Sequence, residues 1–254
     1  MDGDRKGELE TDGYCVIRGV LNEESICSLR SMIDRELHAL PHMAHSEAMW
    51  KLRTLPEVRK LFEFLYDATD LIVSFDGVTV KVAGGSGLVL GNHVDQTQDE
   101  TRCVQCVIAL TESNRQTGTL QLLKGSHVLH AQTLRTWHPD DPCEWQFMQI
   151  GADDTLSRCE LVCPDLAPGD AVLWDSRLVH SVSRPLDWQS VRLVAYVCMV
   201  PRAWASARTL RRRKAAFLRG ASSTHWPHLF VPRGERNGPS RSWAGVSPDV
   251  AALV

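Results

Sequence analysis

A mainly β fold with flanking helices, built on a double-stranded β-helix (jelly-roll, cupin-like) core, is predicted by three observations. Short apolar runs broken by Gly, Pro and Asp recur from residue 71 to residue 200, the pattern of a double antiparallel sheet. Two helical periods are confined to the N-terminal side, where they would buttress one sheet. The chain has 254 residues, 43% of them hydrophobic, which is enough to bury one sizeable core. The expectation is a single domain over 1–254: a mainly helical buttress at 1–70, the jelly roll at 71–200 and a basic C-terminal extension at 201–254.

The elements follow in order. Residues 22–40 are helical: Asn22 can cap, and Ile26, Leu29, Ile33, Leu37 and Leu40 recur every three or four positions up to Pro41. His38, His42 and His45 lie in or after this helix and read as surface histidines. Residues 56–68 form a second helix with Pro56 in its first turn and Val58, Leu61, Phe62 and Leu65 on one face; Met49 and Trp50 before it pack as core. Residues 71–75 read as a strand or a buried segment, and strands are expected at 78–82, 88–93, 102–110, 118–123, 160–163, 171–174, 178–182 and 191–200. Residues 128–158 show no strong period and read as a long insertion shaping a substrate pocket, with Trp137 or Trp145 as wall residues. Residues 201–220 read as a basic helix, and the chain beyond Gly220 as irregular wrapping.

The chemistry concentrates in few residues. Side chains at i and i+2 of a strand share a face, so His93 and Asp95 converge. Leu166-Ala167-Pro168-Gly169-Asp170 reads as a tight turn, with Pro presetting one φ and Gly permitting a positive one. The strand 171–174 follows, and after a break at 175–177 the chain resumes into His180. Two histidines and one carboxylate occupy one face of a six-coordinate Fe(II), leaving three positions for a chelating co-substrate and O2. Arg192 is the only charge in the β-rich run 191–197. A buried guanidinium needs an anion, either a structural Asp or Glu or a ligand carboxylate held bidentately.

Four stretches resemble the phytanoyl-CoA dioxygenase-like family of Fe(II)/2-oxoglutarate oxygenases. They are Asp12 to Leu21, His93-Val94-Asp95-Gln96, Gly118 to His127 (Gly-Thr-Leu-Gln-Leu-Leu-Lys-Gly-Ser-His), and Pro168-Gly169-Asp170 through Trp174-Asp175-Ser176-Arg177 to His180. They cover roughly residues 12–200. The resemblance implies metal binding by His93, Asp95 and His180, and 2-oxoglutarate binding by Arg192. Family members that halogenate carry a small residue in place of the carboxylate, so Asp95 favours hydroxylation. Lys124 stands where the family often has Pro, a change confined to a turn. Ser74-Phe75-Asp76-Gly77 and Thr224-His225-Trp226-Pro227 are similar to a eukaryotic and viral subgroup.

Around this set, Lys81 and Gln105 sit on flanking strands within reach of 2-oxoglutarate, or are strand-edge polars. Trp174 packs beside the iron. Asp175 and Arg177 pair, His127 steadies the Gly-Ser turn, and Asn92 and Gln96 flank the triad toward substrate. The reading is a 2-oxoglutarate-dependent dioxygenase using Fe(II) and O2 to hydroxylate a small-molecule substrate. A silent jelly-roll binding or sensor protein and a cupin-like metalloenzyme without 2-oxoglutarate are the alternatives.

Composition narrows the rest. No apolar run reaches membrane-span length and no signal peptide is apparent, so a cytoplasmic protein is expected. The eight cysteines are scattered and read as small buried residues of a reducing compartment; Cys103 and Cys106 face opposite ways on a strand. Residues 201–254 hold ten Lys/Arg against two Asp/Glu, which leaves −11 on residues 1–200 within the net −3. Arg211-Arg212-Arg213-Lys214 reads as a solvated helix face or an anion-binding patch, and the lack of interleaved aromatics disfavours nucleic acid.

Overall fold

The computed structural model describes residues 4–38, 43–85, 91–96, 102–132, 148–149, 156–230, 232–237 and 243–254. Two five-stranded antiparallel sheets form the core. The major sheet contains β1 (Tyr14–Ile17), β3 (Val78–Lys81), β5 (Val104–Ala109), β9 (Ala171–Asp175) and β11 (Arg192–Val197), in the order β1-β9-β5-β11-β3. The minor sheet contains β4 (His93–Val94), β6 (Leu120–Leu123), β7 (Met148–Gln149), β8 (Leu161–Val162) and β10 (His180–Val182), in the order β7-β4-β10-β6-β8. A two-stranded pair, β2 (Leu71–Val73) with β12 (Met199–Pro201), lies beside them. The expected jelly-roll architecture is thus present.

Alternation of side chains explains how wholly buried strands sort two sets of residues. On β5, Val104, Cys106 and Ile108 join the large core, while Val107 and Ala109 face the smaller core with Leu120 and Leu122 of the minor sheet. On β9, Ala171 and Leu173 belong to the large core, and Val172 and Trp174 to the small one. On β11, Leu193, Ala195 and Val197 oppose Val194 and Tyr196. By the same period, Gln105, Trp174 and Arg192 fall on the face turned toward the minor sheet.

The helices α1 (Asp4–Asp12), α2 (Glu23–Glu36), α3 (Glu47–Thr54) and α4 (Pro56–Tyr66) lie on the N-terminal side. Asn22 caps α2 by accepting from Ser25 N at 2.9 Å, and Asp67, at φ 50, turns the chain out of α4. Two of these helices were not legible as periods. In α1 only Leu9 is buried, and α3 spans eight residues, so Met49 and Trp50 are helical core rather than a preceding segment.

Other expectations are corrected. His45 is 3% exposed and not a surface residue: it packs against Trp50, Phe75 and Phe217, and its Nε2 lies 2.8 Å from Ala221 O. The run 191–200 splits at Cys198 into β11 and β12. Beyond Gly220 the chain is ordered as the hairpin β13 (Ala221–Ser223) with β14 (Pro232–Asn237), and then α6 (Pro248–Leu253). Among the described residues, the strand expected at 88–93 is represented by His93–Val94. Residues 88–90, His42, Trp137 and Trp145 lie outside the described residues, as does most of the 128–158 insertion.

The basic helix is α5 (Ala207–Arg219), capped by Ser206 and ended by Gly220 at φ 66. Arg208, Arg211, Arg212, Lys214 and Arg219 are exposed, but Arg213 is 0% exposed, so the run is not one solvated face. The Arg213 guanidinium donates to the carbonyls of Val73 (2.6 Å), Pro227 (3.1 Å), Leu253 (3.1 Å) and Val254 (2.9 Å). One side chain therefore ties β2, the 224–228 turn and α6 together. Arg213→Met is expected to cost about 3 kcal/mol or more, because several buried carbonyls lose their donor at once. A urea midpoint within error of wild type, at unchanged m, would contradict this.

Candidate metal and 2-oxoglutarate site

Three sequence motifs act as struts for the triad. Asp170 closes the Pro-Gly-Asp turn: its carboxylate accepts from Gly19 N (2.9 Å), Ala167 N (3.0 Å) and Arg18 Nη1 (2.6 Å). Gly169 sits at φ +92, where a Cβ would meet Leu21 O at 2.5 Å, so only glycine fits. In the Gly-Ser-His segment, Ser126 Oγ accepts from Val179 N at 2.9 Å, immediately before His180. His127 Nε2 lies 3.0 Å from Glu10 O, the turn-steadying role expected of it. Asp175 and Arg177 pair at 2.9 Å, and Ser176 O accepts from Asp95 N at 3.0 Å.

His93 and His180 stand directly opposite one another on β4 and β10, with ring centroids 4.2 Å apart. Asp95 lies one residue past β4. Ligand atoms of His93, Asp95 and His180 all fall within 4.8 Å of one another. His180 Nε2 is 3.2 Å from Asp95 Oδ2, and His93 Nε2 is 3.9 Å from Asp95 Oδ1. Each imidazole donates its Nδ1–H backward, His93 to Gly91 O at 2.8 Å and His180 to Leu178 O at 2.9 Å. That tautomer leaves both Nε2 lone pairs facing the carboxylate. Lone pairs and an anion in that arrangement call for a proton or a metal cation between them, and the donor set suits iron.

Electrostatics favour a neutral imidazole at His93. Burial, reinforced by His180, pushes the His93 pKa from 6.5 down to about 4, against the pull of Asp95 and Gly91 O. Burial alone would raise the Asp95 carboxyl; a proton between it and His180 Nε2, and the positive charge that His180, His225 and His93 carry when protonated, hold it well below its usual range. His228, buried near Arg213, is also lowered to about 4. Unfolded, both histidines return to about 6.5. From about pH 6.5 down to 4 the unfolded chain therefore binds more protons, and stability falls as pH falls through that window. Each histidine contributes up to about 3 kcal/mol. Denaturation of the metal-free protein across this range should show the decline, and His228→Gln should flatten it.

A cavity of about 260 Å³ opens at the triad between the two sheets. Of the residues singled out from sequence, His93, Asp95, His180, Gln105 and Trp174 line it. Gln105 Nε2 donates to Asp95 Oδ2 at 2.9 Å, so its amide meets the carboxylate directly. Trp174 lies against His180 with ring centroids 5.5 Å apart. Arg192 and Lys81 are outside the lining. Arg192 is 4% exposed; its Nε donates to Ser113 Oγ at 2.8 Å and its side chain hydrogen-bonds Tyr196, which does line the cavity. No carboxylate pairs with Arg192 among the described residues, and burial lowers its pKa. Lys81, its cross-strand partner, is engaged by the 187–190 loop: its ammonium meets Ser190 Oγ at 3.0 Å and the carbonyls of Ser190 and Asp187. Gln96 is buried, and its carbonyl accepts from His130 Nε2 at 2.5 Å.

Asp76, Thr79, Tyr196 and His225 also line the cavity without having been assigned to it from sequence. The signal for two of them existed in the Ser74–Gly77 and Thr224–Pro227 motifs, but no local period says that these segments meet the triad.

Comparison with known proteins agrees with this geometry. Residues 78–184 match the phytanoyl-CoA dioxygenase (PhyH) family. Over that stretch, less than half of the chain, the protein is similar to this family. The matched residues include both histidines and Asp95, and members of that family are 2-oxoglutarate-dependent non-haem iron enzymes. Residues 149–243 also match a Gig2-like family. Ava biosynthesis cluster protein O of Aspergillus versicolor is 28% identical over 204 residues, covering 74% of this chain; the match spans 66% of that relative's length. Among solved structures, the epimerase SnoN in complex with Fe3+, alpha-ketoglutarate and a nogalamycin compound superposes with a TM-score of 0.65 at 18% identity, over 78% of this chain and 82% of that one. EvdO2 of Micromonospora carbonacea var. aurantiaca with 2-oxoglutarate gives 0.58 at 20% identity, over 78% and 90%. EctD of S. alaskensis with 2-oxoglutarate and 5-hydroxyectoine gives 0.63 at 16%, over 80% and 77%. These likenesses show the fold. No helix among the described residues is long and apolar enough to cross a membrane.

Proposed function

We propose that the chain, acting as one domain over residues 1–254, is an Fe(II)- and 2-oxoglutarate-dependent dioxygenase that hydroxylates an unactivated C–H bond of a small organic substrate. His93, Asp95 and His180 hold the metal. Arg192 receives the far carboxylate of 2-oxoglutarate beside Tyr196, Gln105 orients Asp95, and Trp174 walls off His180. Lys81 steadies the 187–190 loop next to Arg192. Iron and 2-oxoglutarate, when bound, supply with O2 an oxidant able to break a C–H bond, giving succinate and CO2 as co-products. The chain's own part is to position and shield: Leu120, Val182 and Trp174 keep the cavity apolar around its few polar groups.

The observation that carries this reading is the pairing of two inward-facing imidazoles and a carboxylate with a buried cation, Arg192, that has no carboxylate partner among the described residues. A cupin-like enzyme without a keto acid would leave that charge without a purpose, and a silent binding protein would have no use for the triad. The cavity volume of about 260 Å³ favours a small substrate. A relative named for a biosynthesis cluster supports a natural-product intermediate. Neighbours named as an epimerase and a carbocyclase are reasons to measure the outcome at carbon directly: gain of one oxygen atom marks hydroxylation. The seven described cysteines are unpaired, which supports a reducing, cytoplasmic setting.

The test is an anaerobic titration with Fe(II) and then 2-oxoglutarate, following the visible charge-transfer band of the chelated keto acid. A band in wild type opens a substrate screen by succinate release. Absence of a band with folded, metal-loaded protein would sink the reading.

A further inference from the structure

Asp95 is held at every polar group it has, although β4 ends one residue before it. Its N–H donates to Ser176 O at 3.0 Å, and its Oδ2 accepts from Gln105 at 2.9 Å. Its backbone carbonyl accepts from the indole Nε1–H of Trp226 at 3.3 Å, across 131 positions of sequence. A two-residue strand supplies little rigidity of its own, so the carboxylate's placement depends on bonds from outside the ladder. Trp226 is 2% exposed. It is clamped by Cys103 and Cys198, whose Sγ atoms lie 3.5 Å apart, and by the rings of His225 at 5.2 Å and His228 at 5.6 Å. The next residue back, His225, lines the cavity.

We propose that Trp226 is a positioning residue for the metal-binding carboxylate, its indole N–H fixing the Asp95 peptide so that the carboxylate stays within reach of both histidine Nε2 atoms. This rests on the iron-site reading given above. The physical reason is geometric. Rotation of the Asp95 peptide would swing the carboxylate off the metal position. It would also leave the indole donor and the carbonyl buried and unsatisfied together. The Thr224–His228 turn thereby belongs to the metal site, although it lies outside residues 78–184.

The alternative role for Trp226 is plain packing, and Trp50 supplies the control. It is 5% exposed, sits in an aromatic cluster with Phe75 and Phe217, and its Nε1 has no acceptor. Trp226→Phe and Trp50→Phe both shrink a buried ring, but only the first removes a hydrogen bond to Asp95. Fe(II) affinity would be measured anaerobically by competition with a colorimetric chelator, beside the thermal unfolding midpoint of each metal-free protein. The expected result is an Fe(II) Kd raised about tenfold in Trp226→Phe and unchanged in Trp50→Phe, with both midpoints lowered. Should Trp226→Phe fail to fold, the benzothienyl isostere of tryptophan at position 226 keeps the ring's size, lacks the N–H, and should show the same tenfold loss. Wild-type affinity in Trp226→Phe or in the isostere, or an equal loss in Trp50→Phe, overturns the proposal. A wild-type protein that binds no Fe(II) overturns the iron-site reading and this proposal with it, whereas normal wild-type binding with an unaffected position 226 removes this proposal alone.

Discussion

Replacing His180 with alanine is expected to lower Fe(II) affinity by more than about a hundredfold, beyond what loss of a supporting partner alone costs. Succinate release should fall to background. His180 is central to the triad: its Nε2 lies 3.2 Å from Asp95 Oδ2, and its ring faces both His93 and Trp174. It is also the only residue of β10 that pairs with both neighbouring strands, opposite His93 on β4 and Leu122 on β6. Those pairings are backbone bonds and survive the substitution, so the fold should persist. Without His180, His93 loses a neighbour that depresses its pKa, and its titration should move upward. The check is anaerobic metal titration beside far-UV circular dichroism, with the His93 resonance followed by NMR. Wild-type iron affinity in the variant would refute the assignment of His180 as a ligand.

The second large effect is opposite in sign for stability and for binding. Arg192→Met removes a buried guanidinium that, among the described residues, hydrogen-bonds only the hydroxyl-bearing side chains of Ser113 and Tyr196. Replacing a buried, poorly compensated charge by an apolar side chain of similar length is often neutral or stabilising. The metal-free variant should therefore unfold at or above the wild-type midpoint. Its affinity for 2-oxoglutarate should drop by about 2–5 kcal/mol, the cost of deleting one member of a buried charge pair. Thermal shift separates the two: adding 2-oxoglutarate to the Fe(II)-loaded protein should raise the wild-type midpoint further and leave that of the Fe(II)-loaded variant unchanged. A variant that is several kcal/mol less stable without ligand would mean that Arg192 serves the fold rather than the keto acid.

Much of this site was legible because local rules determine it. His93 and Asp95 share a face through the two-residue period, and Gly169 is required by its turn. Arg192 stood out as the lone charge in an apolar strand. The helices at 23–36 and 56–66 were legible from their spacing and from Asn22 and Pro56. What escaped was set by distance in sequence or by shortness. Helix α1 buries one residue and α3 is barely two turns, so neither carries a readable period. His45 and Arg213 are polar residues drawn inside by partners more than a hundred positions away, Ala221 O for one and Val73 O for the other. Gln105 reads from sequence as within reach of 2-oxoglutarate or as a strand-edge polar, yet its amide donates to the Asp95 carboxylate. The Thr224–Pro227 motif was visible, but the strand it supports cannot be inferred from its own residues.

The two-faced sorting of β5, β9 and β11 bears on how such a protein can change over time. Adjacent positions on these strands answer to different selective demands. Cys106, Leu173 and Leu193 are constrained by abundance, because they knit the sheet to the helices. Under the proposed function, Gln105, Trp174 and Arg192 are constrained by turnover. Natural variation can therefore redraw the catalytic face in steps that spare the scaffold, and can refill the scaffold in steps that spare catalysis. A saturation library scored once for expression and once for activity should split these strands into interleaved odd and even positions, with the two scores least correlated between immediate neighbours.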